Sequence, residues 1–353
     1  NSAIREFKGC VQLDHLGSAY PRPQLMNPQE CKIFEAVAAG MEFQGFQSRH
    51  PIGWRFRTIY KRYKMSSMKA LRVLFILTAL PLVLFAQAGR GAQAALQTQA
   101  VKPALYMVTG AGANSLVRIT SDGVILVDGK LPGDPNYSGL MDQIKTVTDK
   151  PVKFVIVTHH HADHTGNNAK FLAAGAQVIG HANLAKNLET YQSPNFDAHA
   201  AMPSITYDKE YVVRLGGAAV EVKHFGRSHT SGDSVVYFPD LKVVALSDAL
   251  TTGGQGPLID YAGGGSALEW KKVFEEILKL DFDAAIPGNG PVLTKADVRD
   301  YAAKFNTVID RATELVRKGV PKDQLLMQLK TDDIGWSPRI PSMDGLYAEL
   351  GRH

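Results

Sequence analysis

The sequence predicts an α+β fold in which two mixed β-sheets carry helices on their outer faces. Short β-rich runs separated by Gly-rich turns fill residues 105–128 and 211–246. Between them lies a stretch in which strands and helices alternate, and helical patterns dominate from residue 266 onward. This order of β-rich, α/β, β-rich and α segments is satisfied by two covered sheets, although periodicity alone leaves other α+β layouts open.

The first half of the chain alternates strands and helices. Runs rich in Val, Ile, Leu and Tyr between Gly-rich turns predict strands at 105–109, 115–120, 124–128, 153–157 and 177–179. Amphipathic stretches between these runs predict helices at 137–148, 168–174 and 183–191.

The second half begins with strands and ends with helices. Strands are predicted at 211–215, 219–224, 234–238, 242–246 and 284–286. Helices are predicted at 266–280 and from 295 to about 318, and shorter helical pieces follow. Ser266 is the expected N-cap of the first of these helices, because its hydroxyl can accept a hydrogen bond from the first turn.

Charge is divided unevenly along the chain. The 353 residues carry a formal net charge of +5, but residues 99–353 hold 26 Lys/Arg against 29 Asp/Glu. The basic excess lies before residue 99, so a nucleic-acid partner is not predicted. Both cysteines, Cys10 and Cys31, lie in the first 67 residues, which excludes a disulfide framework or a zinc–thiolate cluster from the rest of the chain.

Residues 68–94 have the pattern of a secretory signal peptide. A short basic segment is followed by the mostly apolar run 73–85 and by two Ala-x-Ala sequences. The alternative is an uncleaved anchor, but the run is shorter than the ~20 residues that span a bilayer. We therefore expect a periplasmic or secreted protein without stable membrane insertion after cleavage. Because signal peptides begin proteins, residues 1–67 are interpreted as a non-native or disordered extension, with the natural start at Met65 or Met68.

The strongest motif is His159-x-His161-x-Asp163-His164, which follows the predicted strand 153–157. In extended backbone His159 and His161 point to the same side. A turn through Ala162 would bring Asp163 and His164 around to a second position. Neutral imidazoles and a carboxylate in a loop at a strand end predict a zinc site.

Two further residues extend the predicted metal site. His229 lies in a loop between two predicted strands, and a three-imidazole zinc site needs one more histidine. Asp248 follows the predicted strand 242–246. A carboxylate there can bridge two metals, although an acidic residue at a strand end is also a common turn former.

The order and spacing of these residues resemble the metallo-β-lactamase superfamily. The resemblance rests on the histidine motif in 158–166, His-Thr-x-Gly-Asp at 229–233, Asp248, and Pro-Gly-x-Gly-Pro at 287–291. It covers roughly residues 104–292.

The resemblance implies a four-layer αβ/βα sandwich over residues 99–294, followed by a C-terminal helical extension at 295–353. It implies metal-binding residues in two sets: one metal on His159, His161 and His229, and a second on Asp163 and His164, with Asp248 bridging the two.

One position departs from the pattern of the family. The superfamily usually has Pro-Gly-His-Gly, where the histidine completes the second metal site, but here Asn289 takes its place. An amide oxygen is a hard ligand that suits calcium or magnesium better than zinc. We therefore expect one firmly bound Zn²⁺ and a weaker second one.

Other polar residues have supporting roles in this interpretation. The family resemblance implies that Asp128 braces the metal-binding loop. Thr158 and Thr230 are expected to orient ligands. Among the remaining histidines, His160 is expected to point away from the metals by alternation, and His181 and His224 to be structural.

The expected reaction is hydrolysis of a small molecule. A metal-bound hydroxide would attack an ester, thioester, lactone or β-lactam, with Asp163 and Asp248 as the catalytic carboxylates that orient it. The metal site is shared across these substrates and does not choose between them. The substrate loops are expected at 134–140, 192–204 and 251–265. The alternatives are a class-B-like β-lactamase, a degenerate metal-binding protein without catalysis, and a di-iron redox enzyme.

Overall fold

The computed structural model describes residues 95–250, 252, 256–336 and 343–351. The predicted N-terminal extension and signal peptide lie outside these residues, as does part of the predicted loop 251–265. Within the described ranges, no helix is both long enough and apolar enough to cross a membrane.

The first sheet has seven strands in sequence order. They are β1 (Gln97–Lys102), β2 (Leu105–Thr109), β3 (Ser115–Ile119), β4 (Val124–Val127), β5 (Val152–Ile156), β6 (Gln177–His181) and β7 (Ile205–Tyr207). The pairs from β1 to β4 are antiparallel, and those from β4 to β7 are parallel. Parallel neighbours need crossover connections, which here are helical. The helices are α1 (Asp134–Lys145), α2 (Ala162–Thr165), α3 (Asn168–Ala173) and α4 (Ala182–Leu188).

The second sheet has six strands in the order β13-β12-β11-β10-β9-β8. They are β8 (Glu210–Leu215), β9 (Ala218–Lys223), β10 (Val235–Phe238), β11 (Val243–Ser247), β12 (Ala284–Pro287) and β13 (Leu293–Thr294). Its pairs are antiparallel except β11 and β12, which are parallel. The crossover between these two strands contains α5 (Ala267–Lys279).

The two sheets pack face to face over one apolar core. Leu116 and Ile156 of the first sheet share this core with Val236 and Phe238 of the second. A separate apolar cluster joins the outer face of the first sheet to α1, α3 and α4. A third joins the second sheet to α5 and the C-terminal helices. The predicted α+β class and four-layer αβ/βα arrangement are confirmed.

The C-terminal helices continue the outer layer of the second sheet. They are α6 (Lys295–Arg317), α7 (Lys322–Gln328) and α8 (Met343–Leu350). Thr294 and Asp297 form a capping box at the start of α6. Phe305 of α6 is fully buried, and its ring lies 5.0 Å from that of Trp270 on α5. Aromatic contacts of this kind bind the helical tail to α5.

Several elements differ from the sequence prediction. β1, β7 and β13 were not predicted, and α1 begins at Asp134 because Pro135 fits the first turn of a helix. Residues 134–140 were expected to form a loop, and this is wrong because they are helical. The predicted N-cap is confirmed, because the Ser266 hydroxyl accepts a hydrogen bond from Glu269 N–H.

The strand ends of both sheets meet at one edge of the sandwich. The carboxyl ends of the parallel strands β4 and β5 lie there, as do those of β11 and β12. Backbone hydrogen bonds join the sheets at this edge, from Ser234 N–H to Thr158 C=O (2.8 Å) and from Asn114 N–H to Gly288 C=O (2.7 Å). The loops that follow these strands carry the predicted site residues.

Candidate metal centre

The histidine motif begins directly after β5 and ends inside α2. His229 comes from the loop between β9 and β10, and Asp248 follows β11. His159, His164 and His229 are buried, whereas His161, Asp163 and Asp248 are partly exposed. The fold therefore brings the predicted imidazoles and carboxylates together on one partly open surface.

Three imidazoles form the first group of donor atoms. Nδ1 of His161 lies 3.1 Å from Nε2 of His159 and 3.0 Å from Nε2 of His229. All three nitrogens lie within 4.8 Å of one another. Nitrogens bound at ~2.0–2.1 Å to a tetrahedral zinc are roughly 3.3 Å apart, so two of the observed separations are near that value.

Hydrogen bonds on the far side of two rings fix which nitrogen carries the proton. Nε2 of His161 lies 2.9 Å from a carboxylate oxygen of Asp260, and Nδ1 of His229 lies 2.7 Å from the carbonyl oxygen of Leu258. Both oxygens only accept, so these nitrogens must be protonated. The unprotonated nitrogens, Nδ1 of His161 and Nε2 of His229, therefore face the centre as metal donors require.

His164, Asp163 and Asp248 form a second group of donors. Nε2 of His164 lies 3.6 Å from a carboxylate oxygen of each of the two aspartates. Its Nδ1 donates to Asp128 at 2.8 Å, which leaves Nε2 as the donor atom toward the centre. Asp248 also lies between the groups, because its second oxygen is 3.7 Å from Nε2 of His229.

Two buried atoms support a cation in this second group. Among the described residues, Nε2 of His164 and Oδ1 of Asp248 have no hydrogen-bond partner. Buried polar atoms are normally paired, and leaving one unpaired costs about 1–3 kcal/mol. A metal between them would satisfy both atoms. Because imidazole nitrogens and carboxylate oxygens are zinc ligands, the residues present fit this metal.

Burial and the neighbouring charges shift the pKa values of the histidines in opposite directions. Burial, with nearby histidines, lowers the pKa of His159 well below its usual value, which keeps the ring neutral. Burial would also lower the pKa of His164, but Asp128, Asp163 and Asp248 raise it to about 10. Three carboxylates around one imidazole thus favour a positive charge at the second group, and a metal ion supplies that charge.

Asp128 connects the first sheet to the histidine motif. Its carboxylate accepts hydrogen bonds from Thr158 N–H and Oγ1, both at 2.8 Å, as well as from His164. Thr158 Oγ1 in turn lies 2.7 Å from Ser247 Oγ on β11. Asp128 and Ser247 adopt left-handed backbone conformations with φ of 60° and 48°. Such conformations cost about 1–3 kcal/mol and are concentrated at functional sites.

Thr230 fixes the loop of His229 rather than the imidazole itself. Its N–H and Oγ1 both donate to Asp233, which also accepts from Ser228 Oγ. Thr230 was expected to orient ligands, and among the described residues its hydrogen bonds go to Asp233 rather than to a histidine ring. Asp233 was not singled out from the sequence, although it lies within the 229–233 motif.

Asn289 lies beside the centre at the surface. It is exposed, and its backbone C=O accepts a hydrogen bond from Thr252 Oγ1 at 2.9 Å. It lines a groove of about 970 Å³, here called the amide groove, whose lining includes the amide side chains of Gln97, Gln99, Asn114, Asn136, Asn195 and Asn289. A metal-binding role for the Asn289 side chain stays a prediction.

The other histidines lie outside both donor groups. The His160 ring packs edge-on against Tyr191, and its Nε2 is 3.6 Å from Asp260. His181 and His224 stack with their ring centroids 3.8 Å apart. Each of these two rings also lies within hydrogen-bond distance of a backbone carbonyl oxygen.

Sequence reasoning missed two residues next to the centre. Burial would raise the pKa of Asp260, but hydrogen bonds from His161 and Gly263 N–H lower it to about 2. Lys130 is fully buried, and its Nζ donates to the carbonyl oxygens of Val108 and Ala113. Burial lowers the pKa of Lys130 to about 7. Neither residue belongs to a motif, so only the fold reveals their position.

Comparison with known proteins identifies the family to which the chain belongs. A model described as the metallo-beta-lactamase superfamily matches residues 108–289. The matched range begins in β2 and ends at Asn289, so it includes both donor groups and the loops that hold them.

Two individual relatives each match about half of the chain. The alpha subunit of 2,4-dinitroanisole O-demethylase from Nocardioides sp. (strain JS1661) is 26% identical over 174 residues, 49% of this chain and 51% of that subunit. Metallo-beta-lactamase IND-1 of Chryseobacterium indologenes is 30% identical over 182 residues, 50% of this chain and 71% of that protein. The chain thus spans about half the length of the demethylase subunit.

The solved structure of the inverting sec-alkylsulfatase Pisa1 from Pseudomonas sp. is similar in fold. It matches with a TM-score of 0.58 at 17% identity, over 73% of this chain and 50% of that one. At this identity the similarity concerns the fold alone.

Proposed function

Since this chain belongs to the metallo-beta-lactamase superfamily of metal-dependent hydrolases, we propose that it uses zinc to hydrolyse an ester, thioester, lactone or lactam of a small molecule. The proposal rests on one structural observation. The unprotonated nitrogens of His161 and His229 converge with Nε2 of His159, and hydrogen bonds to Asp260 and Leu258 fix the first two in that state.

The two donor groups have different roles. His159, His161 and His229 would hold the firmly bound zinc, and His164 with the two aspartates would hold a weaker second one. Zinc when bound supplies a Lewis acid and lowers the pKa of a water molecule to about 7. Asn289 in place of histidine is the reason for expecting a weaker second metal.

The aspartates orient the reacting groups and move the proton. The side chain of Asp163 is 31% exposed, so it faces solvent and substrate and can accept a proton from the attacking water. Asp248, whose side chain is 17% exposed, lies within 4.0 Å of His159, His164 and His229 and would orient the attacking water. Asp128 keeps the proton of His164 on Nδ1.

A β-lactamase is the second candidate function. The observation in its favour is the 30% identity with metallo-beta-lactamase IND-1 over 71% of that protein. The donor groups serve an ester and a lactam equally well, so the distinction depends on the groove that receives the substrate.

The test is zinc-dependent turnover by the full chain. We expect hydrolysis of a 4-nitrophenyl ester that is abolished by EDTA and restored by added zinc. His229→Ala should lower kcat/KM by at least about 100-fold, because it removes one of three imidazoles. Nitrocefin measured on the same samples tests the second candidate. A zinc-loaded chain that turns over no ester, thioester, lactone or lactam would instead support a non-catalytic metal-binding protein.

Export is a separate part of the proposal and is supported by residues 68–94 of the sequence. Mass spectrometry of the cell-made protein should find a mature N-terminus shortly after residue 88 or 94. A peptide from within residues 1–64 in that product would contradict both the export signal and the proposed start.

A further inference from the structure

The edge of the amide groove lies close to both aspartates of the metal centre. Gly112 lines one side of the groove. If another residue replaced Gly112, its Cβ would lie only 2.9 Å from Cβ of Asp163. Asn289 lines the other side, and it directly follows Gly288. A Cβ added to Gly288 would lie 1.8 Å from an oxygen of Asp248. These close approaches require glycine at both positions. The six donor residues are not themselves among the residues that line the groove, but both aspartates lie directly behind its edge.

Side-chain amides dominate the polar lining of this groove. Gln97 and Gln99 come from β1, whereas Asn136, Asn195 and Asn289 come from three other segments. An amide side chain carries no charge, and it forms hydrogen bonds through N–H and C=O groups. The described residues of the lining include no ionisable side chain.

Two charged residues nearby do not favour an anion in the groove. Lys130 lies beneath the groove wall, but it is fully buried and its Nζ donates to Val108 C=O (2.6 Å) and Ala113 C=O (2.5 Å). The amino end of α1 also borders the groove, and helix amino ends attract anions. Its first turn carries Asp134, which pairs with Lys170, so the side chains at this end add no net positive charge.

We propose that the amide groove selects uncharged esters or lactones that carry amide or hydroxyl groups, and that it discriminates against anionic substrates. This inference rests on the proposed hydrolase function. A carboxylate or sulfate entering the groove loses water without gaining a charged partner among the lining side chains, and that loss is costly. A neutral amide or hydroxyl replaces its lost water with hydrogen bonds to the groove side chains.

A matched pair of substrates tests the effect of substrate charge alone. The two are 4-nitrophenyl benzoates with a carbamoyl or a carboxylate group in the para position, which have nearly the same shape. For each ester, kcat/KM of the zinc-loaded full chain is divided by its rate with hydroxide ion. We expect the carbamoyl ester to be preferred by at least about tenfold, a difference of roughly 1.4 kcal/mol.

A charge added to the groove should reduce this preference. Gln99→Lys places a cation in the groove, and we expect it to lower the preference by about tenfold. Ala100→Lys is the matched control, because it adds the same charge to the opposite face of β1. Both are measured at 0.15 M salt, where the Debye length is about 8 Å and charges act mainly nearby.

Binding without turnover separates this inference from the proposed function. Terephthalamide and terephthalamate, which lack the ester, are titrated into the same proteins and followed by NMR. Preferential binding of terephthalamide with no hydrolysis of either ester would leave the groove inference standing and overturn the hydrolase. Equal or tighter binding of terephthalamate by the wild type, or binding of neither, would overturn the groove inference.

Discussion

The metal centre depends on which nitrogen of each imidazole is unprotonated. Asp260 accepts from Nε2 of His161, and Asp128 accepts from Nδ1 of His164, so in each ring the other nitrogen faces the centre. Partners of this kind orient the rings before a metal arrives, which reduces the cost of binding. Asp260 is therefore a positioning residue for the first zinc.

Replacing Asp260 should weaken zinc binding without removing a ligand. We expect Asp260→Ala to lower the zinc affinity about 10–100-fold, the usual effect of losing an outer hydrogen-bond partner. Competition with a chromophoric chelator measures this affinity. Asp240→Ala is the control, because it removes a carboxylate that pairs with Arg118 away from the centre. Equal zinc affinity in Asp260→Ala and the wild type would mean that His161 needs no such support.

Sequence spacing predicted the metal-donor residues better than the residues that form hydrogen bonds to them. His159, His161, Asp163 and His164 lie within six positions of each other, so their proximity follows from a local motif. Asp260 lies 99 residues from His161, and an isolated aspartate in a glycine-rich segment gives no indication of that contact. Such pairs are created by the fold and are visible only after the sheets and loops are placed.

At the scale of elements, the C-terminal helix α8 holds the segment that supports the donor histidines. Glu349 of α8 accepts hydrogen bonds from Tyr261 Oη (2.7 Å), Ser266 Oγ (2.5 Å) and Ala267 N–H (3.0 Å). The segment beginning at Leu258 supplies the partners of His161 and His229. One carboxylate thus ties α8, the start of α5 and this segment together.

Weakening this connection should affect both stability and metal binding. We expect Glu349→Gln to lower the free energy of unfolding by about 1–3 kcal/mol, since hydrogen bonds to a charged acceptor are lost. Zinc affinity should also fall, because the segment carrying Leu258 is then less firmly held. Urea unfolding and chelator competition measure the two effects.

Asp344→Asn provides a matched control for Glu349→Gln. It removes the same charge from α8, but Asp344 pairs with Lys322 on α7. A loss of stability in Glu349→Gln with unchanged zinc affinity would confine its role to packing of the helix. Equal effects of the two variants would contradict a specific role for Glu349.

Helices and strands were predicted correctly from the sequence where the element has an apolar face, and they were missed where it has none. The strand β5 is rich in apolar residues, and the helix α5 has a long apolar face, so periodicity revealed both. β1 begins Gln-Thr-Gln-Ala and is largely exposed, and its pairing with β2 is a tertiary contact that its own sequence does not indicate. β7 and β13 have only three and two residues, too few for a periodic pattern.

At the scale of the whole molecule, both sheets contribute residues to the site. The first sheet supplies the histidine motif and Asp128, and the second supplies Asp248 and the segment around Gly288. The hydrogen bonds Ser234–Thr158 and Asn114–Gly288 join the sheets beside these residues. The sequence predicted this division through its order of β-rich segments, whereas the depth and lining of the groove between the loops required the folded structure.

The position of bound zinc is the most direct test of the proposed centre. Crystals of the zinc-loaded protein are measured at the zinc absorption edge, and an anomalous difference map is calculated. We expect the strongest peak about 2.0–2.1 Å from Nε2 of His159, Nδ1 of His161 and Nε2 of His229. A weaker peak is expected between His164 and Asp248. Absence of a peak at the three imidazoles, or a main peak held by other residues, would contradict the assignment of this centre.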